Sequence, residues 1–373
     1  EIMSAGAFRL EPETDGERDV LRYWNGFVNG RPFLDGMEIL RDPPDVKQAF
    51  LDGQLDGAYN MKGSFGKELQ AAGFTGKLQN YTSRFCYGLV INYKRDTWLS
   101  RNKELYRALS MAFDKDRIIQ QTLDGYGERA DSVIPHSILG TPGEPFIRHD
   151  LDAAKTIFDS WRGKADFSKP LKVAFRKYPA LPNVPLIEQA VKETFASLGI
   201  AIETSIEELS KPLGWFVDKF DLVFAGFMGE VDLYSGTEPF ISKTGGDNWF
   251  GYYNQDVYDL LSNSISIKDN AERTKLFVEI MKAFTNDGFM VPLFFQQVLS
   301  ISASHVNALF MGPEETYVPD AIYLWPKGAS AGVDPELMPR YKNAVDTMDT
   351  YAKDIISRSK SLVMSGRAVG SAL

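Results

Sequence analysis

Residues 221–261 read DLVFAGFMGEVDLYSGTEPFISKTGGDNWFGYYNQDVYDLL, and the fold turns on how this stretch is taken. Its opening run, Leu222–Val223–Phe224–Ala225, has the length and the β-branched and aromatic content of a strand buried on both faces. The pattern predicts a strand that stops at Gly226, followed by an acidic, aromatic loop carrying Phe227, Glu230, Asp232, Tyr234 and Glu238. Loops at the ends of buried strands are where α/β proteins hold their ligands, because the sheet fixes them in place. A solvated acidic surface loop would have the same composition, so the flanking chain has to decide.

Immediately upstream, Leu171–Phe175 reads as a strand. Val184–Leu198 reads as a helix, with Ile187, Val191, Phe195 and Leu198 at helical spacing and Gly199 as its stop. Ala201–Ile206 is a further strand, and Leu213–Phe220 returns as a short helix to Asp221. This β-α-β-α-β series with short connections predicts a sheet covered by helices on both faces. Downstream, Ala271–Phe284 is a helix that turns Leu276, Phe277, Ile280 and Phe284 inward, and Val291–Phe295 is another strand.

Nearer the N-terminus, strands are expected at Ala7–Leu10, Val20–Trp24 and Met37–Leu40, then a helix at Val46–Leu51 capped by Asp45. The chain next enters an extended segment through Leu55–Asp56. In SRFCYGLVINY, Tyr87, Leu89 and Ile91 alternate with Gly88, Val90 and Asn92, as in a strand with few solvent-facing positions. Asn92 is its polar exception, either satisfying buried backbone groups or meeting a ligand. Helices follow from Asn102, from Asp114 as N-cap, and from Asp152 to Trp161.

Composition narrows the function. The 373 residues are 44% hydrophobic and 24% charged, an ordinary globular balance long enough for two cores. A net charge of −9 with no clustered Lys and Arg argues against nucleic acid as a partner. The single cysteine, Cys86, excludes an intrachain disulfide and a cysteine-based metal cluster. His136, His149 and His305 lack ligand-type spacing, so no metal and no cofactor is expected. No nucleophile-elbow, phosphate-loop or zinc-protease pattern is present, and the adjacent Glu314 and Glu315 project in different directions, so the sequence does not read as an enzyme. No run is long and apolar enough to span a bilayer, and the first twenty residues have neither the basic nor the apolar region of a signal peptide.

Several segments, in order, carry a resemblance. Asn92 precedes Arg107–Ala108–Leu109–Ser110–Met111–Ala112–Phe113–Asp114–Lys115, then Gly125–Tyr126–Gly127–Glu128–Arg129–Ala130 and Pro135. Before these come SAGAFRLEP and AFLDGQLDGAY; after them come HDLDAAKTIFD, GYYNQDVYDLLSNS and ERTKLFVEIMKAFTNDGFMVPLFFQQVLSI. Together, over residues 5–326, they resemble the peptide/nickel-type solute-binding proteins of ABC importers, the dipeptide- and oligopeptide-binding family. The resemblance implies an α/β, two-lobed fold of the type II periplasmic-binding-protein kind, with lobe I incomplete. Its division would be a partial lobe I at 1–93, lobe II at 94–305, a return to lobe I at 306–328, and a linker with a C-terminal helical extension at 329–373.

The same resemblance implies an extracytoplasmic or periplasmic receptor that captures a peptide or similar small solute in an interlobe cleft and delivers it to a membrane ABC permease. The family's strand-end carboxylate, which meets the ligand's amino group, falls on Glu230, with Asp232 as a competing anchor and Phe227 in place of a tryptophan. Phe227–Gly229 would pair with the ligand backbone, and Asn92, Tyr87, Trp249 and Tyr252 are further candidates. Nothing here corresponds to the family's N-terminal portion, which leaves room for a separate chain or fragment supplying it. The alternative is a non-transport structural or regulatory subunit that reuses the fold, with the apolar stripe Tyr341, Val345, Met348, Ala352 and Ile355 as a docking face.

Overall fold

The computed structural model describes residues 6–12, 16–27, 32–41, 45–135, 146–178, 181, 183–228, 233–307 and 323–324. In chain order it begins with strands β1 (Phe8–Leu10), β2 (Arg18–Tyr23) and β3 (Gly36–Leu40), an antiparallel meander in the order β1-β2-β3. Helix α1 (Val46–Leu51), strand β4 (Gly57–Lys62), helix α2 (Phe65–Ala71) and the long strand β5 (Lys77–Ile91) follow. Helices α3 (Trp98–Arg101), α4 (Lys103–Ala112) and α5 (Lys115–Leu123) lead into the short strand β6 (Gly127–Arg129). The chain then alternates through α6 (Leu151–Trp161), β7 (Leu171–Arg176), α7 (Val184–Ser197), β8 (Ile202–Glu207), α8 (Leu213–Lys219) and β9 (Leu222–Met228). Helices α9 (Glu238–Ile241), α10 (Gln255–Ser264) and α11 (Asn270–Asp287) precede β10 (Met290–Ser302), and β11 (Val306–Asn307) pairs with β12 (Tyr323–Leu324).

The described chain forms two units, Glu1–Tyr81 with the chain from Val298, and Thr82–Gln297. The divisions fall inside β5 and β10. In the second unit the strands run β10-β5-β9-β7-β8, with β6 on β10. β7 lies parallel to both β8 and β9, joined by α7 and α8, as the alternation predicts, while β5 is antiparallel to β9.

Both faces of this sheet are covered. Along β9, Leu222 and Phe224 enter a core with α4, α5, α6 and α7, and the alternate Val223 and Ala225 enter a second core with α8, α10 and α11. The helices start where side-chain caps begin: Asp45, Asp114 and Asp150 accept from the backbone N–H of Gln48, Arg117 and Ala153. The third helix thus starts at Leu151, one residue before the expected Asp152, with Asp150 as its cap.

β9 does not stop at Gly226 but continues to Met228, paired with β5 throughout. A side chain at Gly226 would bring its Cβ to 2.8 Å from ring carbons of both Phe85 and Tyr87. Glycine is needed here for close approach of aromatic rings and not as a strand terminator. The first unit is thinner: Phe50, Leu69, Leu299 and Ile301 are its main fully buried cluster, with Tyr81 and Val298 beside each other.

Candidate functional site

β7, β8 and β9 run parallel, so their C-terminal ends, Arg176, Glu207 and Met228, lie at one edge of the second unit. This is the edge at which open α/β sheets hold ligands. β7 pairs with β9 only at Val173–Phe175 against Leu222–Phe224, and β9 then runs on along β5. Beyond that point the Gly226 N–H, turned away from β5, donates to the Tyr178 hydroxyl at 2.9 Å. Strand alternation directs the Met228 N–H to the same side. β9 therefore offers a short backbone edge next to the last residues of β7.

Two residues that the sequence reading passed over sit there. The Tyr178 ring stands edge-on to Tyr87 at 5.3 Å, and burial raises the pKa of its hydroxyl despite the Arg176 guanidinium beside it. Arg176 lies over the faces of Phe216 and Tyr178, 5.3 and 5.7 Å from their centroids, and reaches the Leu209 carbonyl at 3.3 Å. Its Nε is buried and has no hydrogen-bond partner. The sequence signal available was a basic and aromatic run, Arg176–Lys177–Tyr178, directly after the apolar Val173–Phe175.

A match to the family model described as "Bacterial extracellular solute-binding proteins, family 5 Middle" covers residues 1–248. The chain belongs to this family. Its members are binding proteins, and the family is extracellular by description. The oligopeptide-binding protein AppA of Bacillus subtilis (strain 168) is 23% identical over 313 residues, covering 76% of this chain and 55% of AppA. The chain thus spans about half the length of that curated relative.

Among solved structures, the ABC transporter substrate-binding protein CtaP of Listeria monocytogenes superimposes with a TM-score of 0.72 at 18% identity, covering 86% of this chain and 66% of CtaP. NikA of Staphylococcus aureus, solved with Ni(L-His)2, gives 0.70 at 16% identity and the same 86%, with 69% of NikA covered. AppA of B. subtilis, solved with a nonapeptide, gives 0.68 at 18%, covering 86% of this chain and 66% of AppA. The fold class is therefore α/β of the type II periplasmic-binding-protein kind.

For this family 5 chain, the candidates from the sequence separate into groups. Gly229, Glu230 and Asp232 lie outside the described residues, as do His136, Glu314, Glu315 and the apolar stripe from Tyr341 to Ile355. Phe227 is half-buried, its ring edge-on to Phe240 at 5.0 Å and Phe289 at 5.4 Å, with its backbone paired to Cys86. Tyr87 lies opposite Gly226 and is buried among Phe85, Phe224 and Phe294. Both belong to the β9 end.

Asn92 lies elsewhere, at the start of β9, where its N–H donates to the Asp221 carbonyl. It is fully buried, and its amide donates 2.8 Å bonds to the carbonyls of Val217 and Phe220, closing the end of α8. The structural alternative for Asn92 is the one its geometry supplies. Tyr252 is 1% exposed, its hydroxyl donates to Asp287 at 2.9 Å, and burial with that carboxylate beside it raises its pKa far above the usual tyrosine range. Trp249, by contrast, is 43% exposed. Among the described residues no group of acidic, histidine or cysteine side chains is arranged to hold a metal ion, and no helix is long and apolar enough to cross a membrane.

Proposed function

We propose that the chain is the ligand-bearing part of an extracytoplasmic receptor that captures a peptide-like solute and presents it to a membrane ABC permease. The observation that carries this reading is the edge of β9 beyond Phe224, where β7 no longer pairs. A peptide laid along that edge would bond its backbone to the Met228 N–H and to the backbone of the residues after it, which gives affinity without demanding particular side chains. Arg176 supplies a cation with a desolvated, unpartnered N–H at the same edge, suited to a terminal carboxylate. Glu230 is the proposed anchor for the ligand's amino group, with Asp232 as the competing carboxylate, Gly229 as a backbone contact, and Phe227, Tyr87 and Trp249 as flanking aromatics. The curated relative named as an oligopeptide-binding protein supports a peptide over a nickel chelate.

Calorimetric titration with a set of free and C-terminally amidated peptides tests this. Free peptides are expected to bind, and Arg176→Met is expected to weaken free peptides about tenfold or more while changing amidated ones little. No heat with any peptide, alongside binding of a nickel–histidine complex, would sink the peptide assignment. Equal weakening of free and amidated peptides would remove Arg176 from the carboxylate role alone.

A further inference from the structure

Helix α8 covers only part of the sheet beside it. Its Phe216 and Val217, with Phe220, share one core with Ala174 of β7 and with Val223 and Ala225 of β9. On β8, Ile202 and Ile206 pack against the opposite core, so alternation puts Glu203, Ser205 and Glu207 on the α8 side. A polar strip is thus left open between the helix and the outer strand.

The two ends of this strip differ. At the C-terminal end Glu207 accepts from the Lys211 ammonium and the Ser205 hydroxyl, and its register partner Arg176 lies over Phe216. At the N-terminal end a hollow of about 430 Å³ opens, lined by Arg95, Lys172, Glu203, Asp218, Lys219 and Phe220. That volume falls in the range of small-molecule sites.

The charges around the hollow are held apart. Lys172 and Glu203 are register partners on adjacent strands, where opposite charges ordinarily interact. Neither closes an ion pair, and among the described residues Asp218 and Lys219 close none either. Asp218 is also a carboxylate in the last turn of α8, the end at which the helix dipole disfavours an anion. Lys219 is propped beside the hollow by the Trp215 ring, 4.2 Å from its ammonium. Arg95 is already committed, its Nε donating to Asp221 at 2.6 Å and a terminal nitrogen to the Asp218 carbonyl at 2.9 Å. Two cations and two carboxylates therefore remain unpaired around one space, a balance that fits a ligand carrying both signs and not a phosphate or another plain anion.

We infer that this hollow binds a free zwitterionic α-amino acid, its carboxylate toward Lys172 and Lys219, its ammonium toward Glu203 and Asp218, and an apolar side chain over Phe220. The hollow lies at the start of β7, and Arg176 at its end, so the inference stands apart from the peptide reading above.

Backbone amide NMR of residues 1–373, titrated with L-leucine, tests this. The signals of Lys172, Glu203 and Lys219 are expected to shift and saturate, while N-acetyl-L-leucine and L-leucinamide, each lacking one charge, bind at least about tenfold more weakly. No saturable shift at these signals up to about 10 mM leucine would overturn the inference. Inorganic phosphate shifting them as strongly would overturn it too, by making the hollow a plain anion site. Lys172 and Glu203 are exposed, so Lys172→Gln and Glu203→Gln should keep the wild-type Tm and each bind leucine about tenfold more weakly. Glu203→Gln should leave N-acetyl-L-leucine unchanged, since that compound has no ammonium for the carboxylate to meet. Wild-type leucine affinity in both variants would overturn the assignment. Arg176→Met should leave the leucine shifts as they are; their loss in that variant would move the binding to the β9 edge and overturn the assignment to the hollow.

Discussion

Asn92 shows how one buried amide can hold an element in place. Its two donated bonds satisfy the carbonyls of Val217 and Phe220 where α8 ends, and its own carbonyl accepts from the Lys94 N–H. Asn92→Ala would leave two buried acceptors without partners and is expected to cost about 2–4 kcal/mol in urea denaturation. Peptide affinity at native temperature should be unchanged, because Asn92 lies at the start of β9 and the proposed ligand edge at its end. A tenfold loss of affinity without loss of stability would return Asn92 to the site. Glu188 provides the corresponding pH test. Burial pushes its carboxyl up, but bonds from the Lys192 ammonium and the Thr204 hydroxyl outweigh this and hold it below the usual carboxylate pKa of 4.5. Its folded form therefore binds fewer protons than its unfolded form, so the stabilisation is full above the ordinary value and is lost as pH falls through the lowered one. Glu188→Gln should be less stable than wild type at neutral pH, with the two stability curves converging as pH falls through the lowered pKa of the carboxyl. Parallel curves down to acid would show that the carboxylate contributes nothing.

At the scale of elements, the close approach of β5 and β10 depends on Gly88. A Cβ there would stand 2.3 Å from the Val291 carbonyl oxygen and 3.0 Å from the Pro292 Cα, backbone atoms that cannot swing aside. Gly88→Ala is expected to destabilise by about 1–3 kcal/mol, read as a lower urea midpoint with unchanged slope; a neutral result would mean that β10 shifts at little cost. In sequence, Gly88 is simply one member of an alternating run, and Gly226 reads as a breaker. Apolar periodicity reports that a strand is buried, but the spacing of its neighbours is a tertiary property. That is why the β-α-β-α-β order and helix starts such as Asp45 and Asp114 were legible, while the extension of β9 to Met228 was not. Helices α2, α3 and α9 escaped the reading because each is two turns long or less, whereas the longer α10 escaped it although Asn254 caps it and Val257 and Leu261 are buried four residues apart. Arg176 and Tyr178 were missed for a related reason: their value lies in where β7 leaves β9, and no local spacing encodes that point.

For the molecule as a whole, the two units differ in the apolar surface that holds them. The second has a sheet covered on both faces, with Phe113, Phe158, Phe175, Phe195, Phe216 and Phe224 among its fully buried side chains. The first depends on Phe50, Leu69, Leu299 and Ile301, with an open groove beside them. Stabilisation scales with the apolar area removed from water, so the first unit should open at a lower free-energy cost than the second. In residues 1–373, native-state hydrogen exchange is expected to give low opening free energies for 36–62 and high ones for 85–91, 171–175, 222–225 and 291–295. Added urea should unfold the 36–62 group first, giving two transitions with different midpoints. A single transition with identical midpoints for both groups would show that the thin core of the first unit is no weaker than that of the second.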